Sequence, residues 1–175
     1  MKRHVAFTGF MAAGKSTLGR KLARELGCAF FDSDEIIAQA HGAIAEIFSR
    51  EGEAAFRRYE RATIADLLER PYRSVIALGG GALTLPETRA RLRDRAFTIF
   101  IRISPERALA RVRASRQRRP MLGDRPTLAT LRSLYERRLP QYAQADYIVE
   151  GERRKDKAVI ADVLEWLKDR PLDAG

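Results

Sequence analysis

A glycine-rich segment with a lysine and two adjacent hydroxyl residues, GFMAAGKST, occupies residues 9–17. It satisfies the pattern G-x-x-x-x-G-K-[ST] through Gly9, Gly14, Lys15 and Ser16, between a candidate strand and a candidate helix. In such a segment the backbone N–H groups converge on phosphate oxygens, and the helix dipole adds positive potential. Lys15 would reach the β- and γ-phosphates, and Ser16 would place its hydroxyl on Mg²⁺. The pattern predicts a nucleotide site, and the alternative is an ordinary glycine-containing turn.

Two carboxylates follow in FFDSDE, at the end of the next candidate strand. Period-2 alternation places Asp32 and Asp34 on one side, at the carboxyl edge of a parallel sheet, where open α/β sheets bind ligands. One carboxylate would help to hold hydrated Mg²⁺, and the other would orient and deprotonate an attacking hydroxyl. Because Asp-Ser-Asp is also a good helix N-cap, a capping role is the alternative.

Arginines and glycines form three further patterns. GEAAFRRYE places Arg57 and Glu60 three residues apart on one helix face, which is also typical of a surface ion pair. Three glycines at 79–81 follow the candidate strand SVIAL and indicate a close backbone approach or a positive φ, or else a tight strand-to-helix connection. Arg137 and Arg138 are by themselves typical of a solvated surface.

A cation-rich stretch, RASRQRRPMLGDR, spans residues 113–125 and is broken by Pro120 and Gly123. It lacks the apolar periodicity that would hold it against a core, so we predict a mobile loop. A catalytic lid there needs support from elsewhere, and a plain connection is the alternative.

The elements that position these residues are short apolar strands alternating with longer amphipathic helices, a pattern that predicts an α/β fold with a parallel sheet. The predicted strands are His4–Thr8, Ala29–Phe31, Ser74–Leu78, Ala96–Ile103 and Asp146–Val149. The predicted helices are Lys15–Leu26, Asp34–His41, Ile44–Arg50, Ala54–Leu68, Pro86–Asp94, Pro105–Ala114, Thr127–Tyr142 and Lys155–Asp169.

Composition narrows the class of protein. A chain of 175 residues, 45% of them hydrophobic, predicts one globular domain, 1–175. One cysteine and two histidines exclude a disulfide within the chain and a Cys/His zinc site. The sequence contains no membrane-length apolar run and no signal-peptide h-region, which predicts a cytoplasmic protein with no membrane partner. A net charge of +10 favours anionic ligands, and the absence of a heptad seam predicts a monomer.

The ordered motifs GFMAAGKST, FFDSDEII, GEAAFRRYE, ALGGGA, RRPML and RRLPQYAQADYIV resemble those of shikimate kinases over almost the whole chain. The resemblance implies the fold of nucleoside-monophosphate kinases: three α/β/α layers around a five-stranded parallel sheet ordered 2-3-1-4-5. It also implies a substrate-binding region at about 33–61, a mobile lid at about 113–125, and Mg²⁺-dependent phosphorylation of the shikimate 3-hydroxyl by ATP.

The resemblance also implies roles for single residues at the shikimate end. Asp34 is similar to the residue that binds the ring hydroxyls and acts as the base. Arg57 and Arg138 resemble the pair that clamps the carboxylate. Gly79, Gly80 and Gly81 resemble the glycines that form the backbone wall beside the ring.

At the nucleotide end, Ser16 and Asp32 resemble the magnesium-site residues, and Lys15 and the lid residue Arg119 join Asp34 as implied catalytic residues. Arg111 resembles the arginine that lies against adenine, with Arg113 as its rival. The implied ATP contacts are Gly9, Ala12, Ala13, Gly14, Lys15, Ser16, Thr17, Arg111 and Arg119. Ala12 departs from the glycine that is usual in the family, which predicts a modest change in loop stiffness.

Two alternatives stay open at this stage. One is a kinase of the same fold that phosphorylates another small hydroxy acid, such as gluconate. The other is a regulatory or nucleic-acid-binding module with a relic phosphate loop, although the chain has no recognisable nucleic-acid motif beside its dispersed arginines.

Overall fold

The computed structural model describes residues 2–115, 127–170 and 172–173. Within these ranges it contains five strands, seven α-helices and one 3₁₀ turn. The strands are β1 His4–Thr8, β2 Ala29–Asp32, β3 Ser74–Ala77, β4 Ala96–Arg102 and β5 Tyr147–Glu150. The helices are α1 Lys15–Leu26, α2 Ser33–His41, α3 Ile44–Leu68, α4 Pro86–Arg95, α5 Pro105–Ala114, α6 Leu128–Tyr142 and α7 Asp156–Leu167, and the 3₁₀ turn is Ala82–Thr84.

The strands form one parallel sheet in the order β2-β3-β1-β4-β5, as the resemblance implies. All five residues of the central strand β1 are buried. Successive side chains of a strand point to opposite faces of the sheet, so both faces must be covered. The predicted α/β fold and its strand order are therefore confirmed. Within the described residues, no helix is long and apolar enough to span a membrane.

The segment from Ile44 to Leu68 departs in part from the two separate helices predicted there. It is one helical element, but Gly52 interrupts it with φ 81° and ψ 172°, a conformation that other residues rarely adopt. The interruption lies within the predicted gap between Arg50 and Ala54. The second half of α3 then carries Arg57 and Glu60 towards the sheet edge.

A small hydrophobic core lies under the region 33–61, apart from the main core. Its buried members are Ile37, Ile47 and Phe56. The second half of α3 also contributes Ile64 and Leu67 to the main core around the sheet. One helix therefore joins two packed clusters, and the α2–α3 layer is fixed by its own apolar contacts.

The prediction that strand alternation relates Asp32 to Asp34 is wrong. Strand β2 ends at Asp32, and helix α2 begins at Ser33, so Asp34 lies in the first helical turn. Asp32 is the N-cap of α2, and its Oδ1 accepts hydrogen bonds from the backbone N–H groups of Asp34 and Glu35. The cap, rather than the pleat of a strand, sets the relative position of the two carboxylates.

His4 lies buried in β1, with Nε2 3.2 Å from the Leu68 carbonyl oxygen and Nδ1 2.8 Å from Ser74 Oγ. A carbonyl only accepts, so Nε2 carries the hydrogen, and Nδ1 accepts from the serine hydroxyl. Burial lowers the pKa of His4 from its usual 6.5. The neutral ring is therefore the form that the fold stabilises.

We expect the free energy of unfolding to fall as the pH is lowered through about 6.5, because the unfolded chain then binds a proton that folded His4 resists. Denaturant titrations between pH 8 and pH 5.5 measure this slope. His4→Gln should flatten the slope, whereas His41→Gln, at an exposed position, should leave it unchanged. Equal slopes in wild type and His4→Gln would contradict a lowered pKa of His4 in the folded protein.

Candidate active site

The glycine-rich segment lies where the central strand β1 ends and helix α1 begins. Gly9 has φ 137°, and a Cβ there would lie 2.8 Å from the Ile101 carbonyl oxygen of the neighbouring strand. Gly14 is the N-cap of α1 with φ 97°, and the first turn of that helix contains no acidic residue. The backbone N–H groups at this helix start therefore form an anion site at the carboxyl edge of the sheet.

Lys15 lies against the loop that precedes it. Its Nζ donates hydrogen bonds to the carbonyl oxygens of Gly9, at 2.9 Å, and Phe10, at 3.0 Å. These bonds place the ammonium group over the loop, on the cavity that the loop lines. A polyphosphate bound to the loop would meet this cation directly.

Ser16, in the first turn of α1, contacts Asp32, the last residue of β2. Ser16 Oγ donates to Asp32 Oδ2 at 2.5 Å, while Asp32 Oδ1 caps α2. The capping role is therefore present on Oδ1, while Oδ2 lies beside Ser16 at the start of the phosphate-loop helix. A hydroxyl and a carboxylate beside a phosphate loop are oxygen donors of the kind that Mg²⁺ takes, so the donor set fits this ion.

One cavity of about 860 Å³ joins the phosphate loop to the carboxylates, arginines and glycines that the sequence singled out. The predicted site residues along its wall are Ala12, Gly14, Lys15, Ser16, Thr17, Asp32, Asp34, Arg57, Gly79, Gly80, Gly81 and Arg138. These residues come from the loop after β1, the first turn of α1, the β2–α2 junction, α3, the segment after β3, and α6. Their convergence is a property of the fold, because they span more than 120 positions of the sequence.

Arg57 and Glu60 form a buried ion pair, not the surface pair that was the alternative. Arg57 Nη1 donates to Glu60 Oε2 at 2.5 Å, and the side chains are 15% and 0% exposed, respectively. The same guanidinium donates to Glu53 Oε1 at 3.1 and 3.3 Å. Burial raises the pKa of Glu60, although the neighbouring Arg57 opposes that shift.

Glu60 is a site residue whose importance the sequence analysis missed. It lines the cavity, and the only signal for it was its i, i+3 spacing from Arg57. That spacing does not reveal burial, because exposed and buried helix faces have the same period. The buried carboxylate fixes the guanidinium of Arg57 at the cavity wall.

Charged side chains pack closely against the backbone of two of the three glycines after β3, Gly79 and Gly81. A Cβ at Gly79 would lie 2.5 Å from Glu60 Oε1 and 2.7 Å from Asp34 Oδ1. A Cβ at Gly81 would collide with the Arg57 guanidinium. The close backbone approach predicted for this segment is therefore present, and all three approaching side chains line the cavity.

Helix α6 contributes Arg138 to the cavity wall. Arg138 is only 6% exposed, and its Nη1 lies 3.4 Å from the place where a Gly80 Cβ would be. Tyr142, one turn further on, donates its hydroxyl to the Gly80 carbonyl at 2.5 Å, and burial raises the pKa of that phenol to about 12. Arg138 is therefore not a solvated surface cation, as its position in the sequence alone allowed.

The phosphate loop also lines a second cavity, of about 300 Å³. Its wall includes Ala13, Thr17 and Arg111 from the predicted nucleotide contacts. Arg111 Nη1 donates to the Ala12 carbonyl at 2.9 Å, whereas Arg113 is exposed and lines neither cavity. Arg119 and most of the predicted lid, 116–125, lie outside the described residues.

A phosphate loop after the central strand of a 2-3-1-4-5 parallel sheet, with carboxylates and arginines across one cavity, defines a small-molecule phosphotransferase with the nucleoside-monophosphate-kinase-like fold. The family model "Shikimate kinase" matches residues 11–168. The chain therefore belongs to the shikimate kinase family, whose members are ATP-dependent phosphotransferases.

Individual relatives agree with this assignment. The chain is 42% identical over 171 residues to the shikimate kinase of Pseudomonas entomophila, covering 97% of this chain and 98% of that protein. It is 46% identical over 157 residues to that of Thiobacillus denitrificans, covering 89% and 85% of the two chains, respectively. The solved shikimate kinase of Acinetobacter baumannii in complex with shikimate superposes with a TM-score of 0.89 at 33% identity, covering 99% of this chain and 97% of that one.

Proposed function

We propose that this chain transfers the γ-phosphoryl group of ATP to the 3-hydroxyl of shikimate, giving shikimate 3-phosphate and ADP, with the residues of the large cavity in the roles derived below. The observation that carries the proposal is the continuity of that cavity, which has the phosphate loop at one end and two buried or nearly buried arginines at the other. The shikimate named in the complex of the A. baumannii relative supports the same acceptor.

The acceptor end suits a compact carboxylic acid. Arg57 and Arg138 present two guanidinium groups to one cavity wall, and such groups bind carboxylates through paired, charge-assisted hydrogen bonds. Glu60 and Glu53 fix the orientation of Arg57 before any ligand arrives. The bare backbone at Gly79 and Gly81 lets the carboxylates of Asp34 and Glu60 and the guanidinium of Arg57 pack directly against this wall.

Asp34 lies between that wall and the phosphate loop, beside Gly79 and on the same cavity as Lys15. In the proposed reaction its carboxylate accepts the hydrogen bond of the attacking hydroxyl, aligns the oxygen with the γ-phosphorus and takes the proton. The position of Asp34 in the first turn of α2, capped by Asp32, holds the carboxylate at the cavity.

At the nucleotide end, the loop N–H groups and Lys15 would bind the phosphates and stabilise the charge that spreads over the transferring group. Mg²⁺, which would be held by Ser16 and Asp32, supplies further charge neutralisation at the phosphate oxygens when bound. Arg119 is proposed to join them from the lid, whose closure would exclude water and so limit wasteful ATP hydrolysis.

The test is Mg-ATP-dependent ADP release measured with shikimate, with gluconate and without an acceptor. The proposal requires release that depends on shikimate and yields a product phosphorylated at the 3-hydroxyl, identified by NMR. Preference for gluconate would favour a kinase of the same fold with another acceptor. Equal slow ADP release in all three mixtures would agree with a nucleotide site at the phosphate loop. It would refute shikimate as the acceptor.

Arg57→Ala should raise the KM for shikimate about 10- to 100-fold and leave the KM for ATP within about twofold, because charge-assisted hydrogen bonds contribute roughly 1.5–3 kcal/mol. Steady-state kinetics with each substrate varied in turn gives both values. Arg58→Ala removes the next, exposed arginine of the same helix and should change neither constant. Equal damage to both substrates in Arg57→Ala would indicate a folding role instead.

A further inference from the structure

The contact between helix α5 and the phosphate loop involves a strained residue of that loop. Arg111 Nη1 donates to the Ala12 carbonyl at 2.9 Å, 99 positions away in the sequence. Ala12 has φ 57°, one of two positive φ values among the non-glycine residues of the described chain. The same Nη1 lies 3.9 Å from the place of a Gly14 Cβ, so the guanidinium extends along the loop.

The left-handed conformation of Ala12 matters because it sets the direction of the adjoining peptide groups. Alanine adopts this conformation at an energetic cost that glycine avoids. A loop that binds phosphate through backbone N–H groups must keep those groups pointed at the ligand. Some interaction must therefore hold Ala12 in place, and the bond from Arg111 ends on its carbonyl oxygen.

We propose that Arg111 is a positioning residue of the phosphate loop: its hydrogen bond to the Ala12 carbonyl holds the loop in the phosphate-binding conformation before the nucleotide arrives. This role is separate from any contact with the base, although Arg111 also lines the second cavity. The inference rests on the proposed phosphate site.

The test uses tripolyphosphate, which has the phosphates of ATP but neither base nor ribose. Binding of Mg-tripolyphosphate and of Mg-ATP to the whole protein is measured by isothermal titration calorimetry. Arg111→Ala should raise the Kd for tripolyphosphate about tenfold, because a charge-assisted hydrogen bond to a loop carbonyl is lost. Arg113→Ala, which removes an exposed cation from the same helix, should change this Kd by less than about twofold.

The Ala12→Gly background separates positioning from simple electrostatic attraction. Glycine adopts a positive φ without the energetic cost that alanine has. In the Ala12→Gly variant, Arg111→Ala should therefore raise the Kd for tripolyphosphate by less than about threefold. Loss of a distant positive charge would instead cost the same in both backgrounds. The expected result is therefore a coupling between positions 12 and 111.

Three results would overturn the inference. One is a tenfold loss in both backgrounds, which would assign the effect to charge alone. Another is weaker ATP binding with unchanged tripolyphosphate binding in Arg111→Ala, which would assign Arg111 to the base. Failure of the unaltered protein to bind tripolyphosphate would contradict the proposed phosphate site and, with it, this role. Circular dichroism of each variant establishes that the fold is intact.

Discussion

Asp34→Asn should lower kcat by about 100-fold or more while the affinity for ATP stays within about twofold, because a positioned general base contributes roughly 10²–10⁴-fold. Asparagine retains the shape of the side chain and a hydrogen-bonding oxygen, but it does not take the proton of the attacking hydroxyl. The steady-state rate of ADP formation with saturating shikimate gives kcat. Calorimetry with ATP gives the affinity.

The neighbouring residue provides the control for Asp34. Glu35 follows it in α2, but its carboxylate forms an exposed ion pair with Arg20. Glu35→Gln should therefore change kcat by less than about twofold. If Asp34→Asn turns over at a near-normal rate, Asp34 is not the base and the proposed proton transfer is wrong.

Lys15→Ala should lower kcat by about 100- to 1,000-fold with whichever acceptor proves correct, because removing a preorganised donor to developing charge has an effect of that order. Lys15 Nζ already lies over the loop, bonded to the Gly9 and Phe10 carbonyl oxygens, so little reorganisation precedes phosphate binding. The measurement is single-turnover phosphoryl transfer, which separates chemistry from product release.

Arg24→Ala is the matched control for Lys15, since it removes an exposed cation from the last turn of the same helix. It should retain full activity. Lys15→Ala with more than a tenth of the wild-type rate would refute a role for this ammonium group in the transfer. Unchanged thermal unfolding in both variants would exclude loss of the fold as the cause.

Much of the fold could be predicted because its signals are local. A glycine pattern between an apolar run and an amphipathic run identifies the first strand, loop and helix without reference to the rest of the chain. The break near Gly52 was also predicted, because the predicted helices Ile44–Arg50 and Ala54–Leu68 leave a gap between them that contains this glycine. The cap removed the gap between the predicted strand Ala29–Phe31 and the predicted helix Asp34–His41, because β2 extends to Asp32 and α2 begins at Ser33. Strand alternation therefore does not relate Asp32 to Asp34.

The parts of the site that were missed depend on contacts across the fold. Spacing relates Arg57 to Glu60, but only packing against the segment after β3 shows that Glu60 is fully buried. Similarly, the sequence does not distinguish Arg111 from Arg113, because both are arginines of the same predicted helix. Residues two positions apart in an α-helix, however, point in directions that differ by about 200° around the helix axis. Only one of the two arginines therefore faces the phosphate loop, and the rotational phase of α5 decides which.

The two separate clusters of buried apolar side chains have an evolutionary consequence. Ile37, Ile47 and Phe56 pack under the acceptor end, whereas the strands and the phosphate loop are held by the main core. Substitutions in the small cluster can reshape the acceptor wall without disturbing the packing beneath the nucleotide. Selection for a new acceptor and selection for an intact phosphate-donor site then act on different residues. The acceptor can therefore change while the phosphate-donor site is kept.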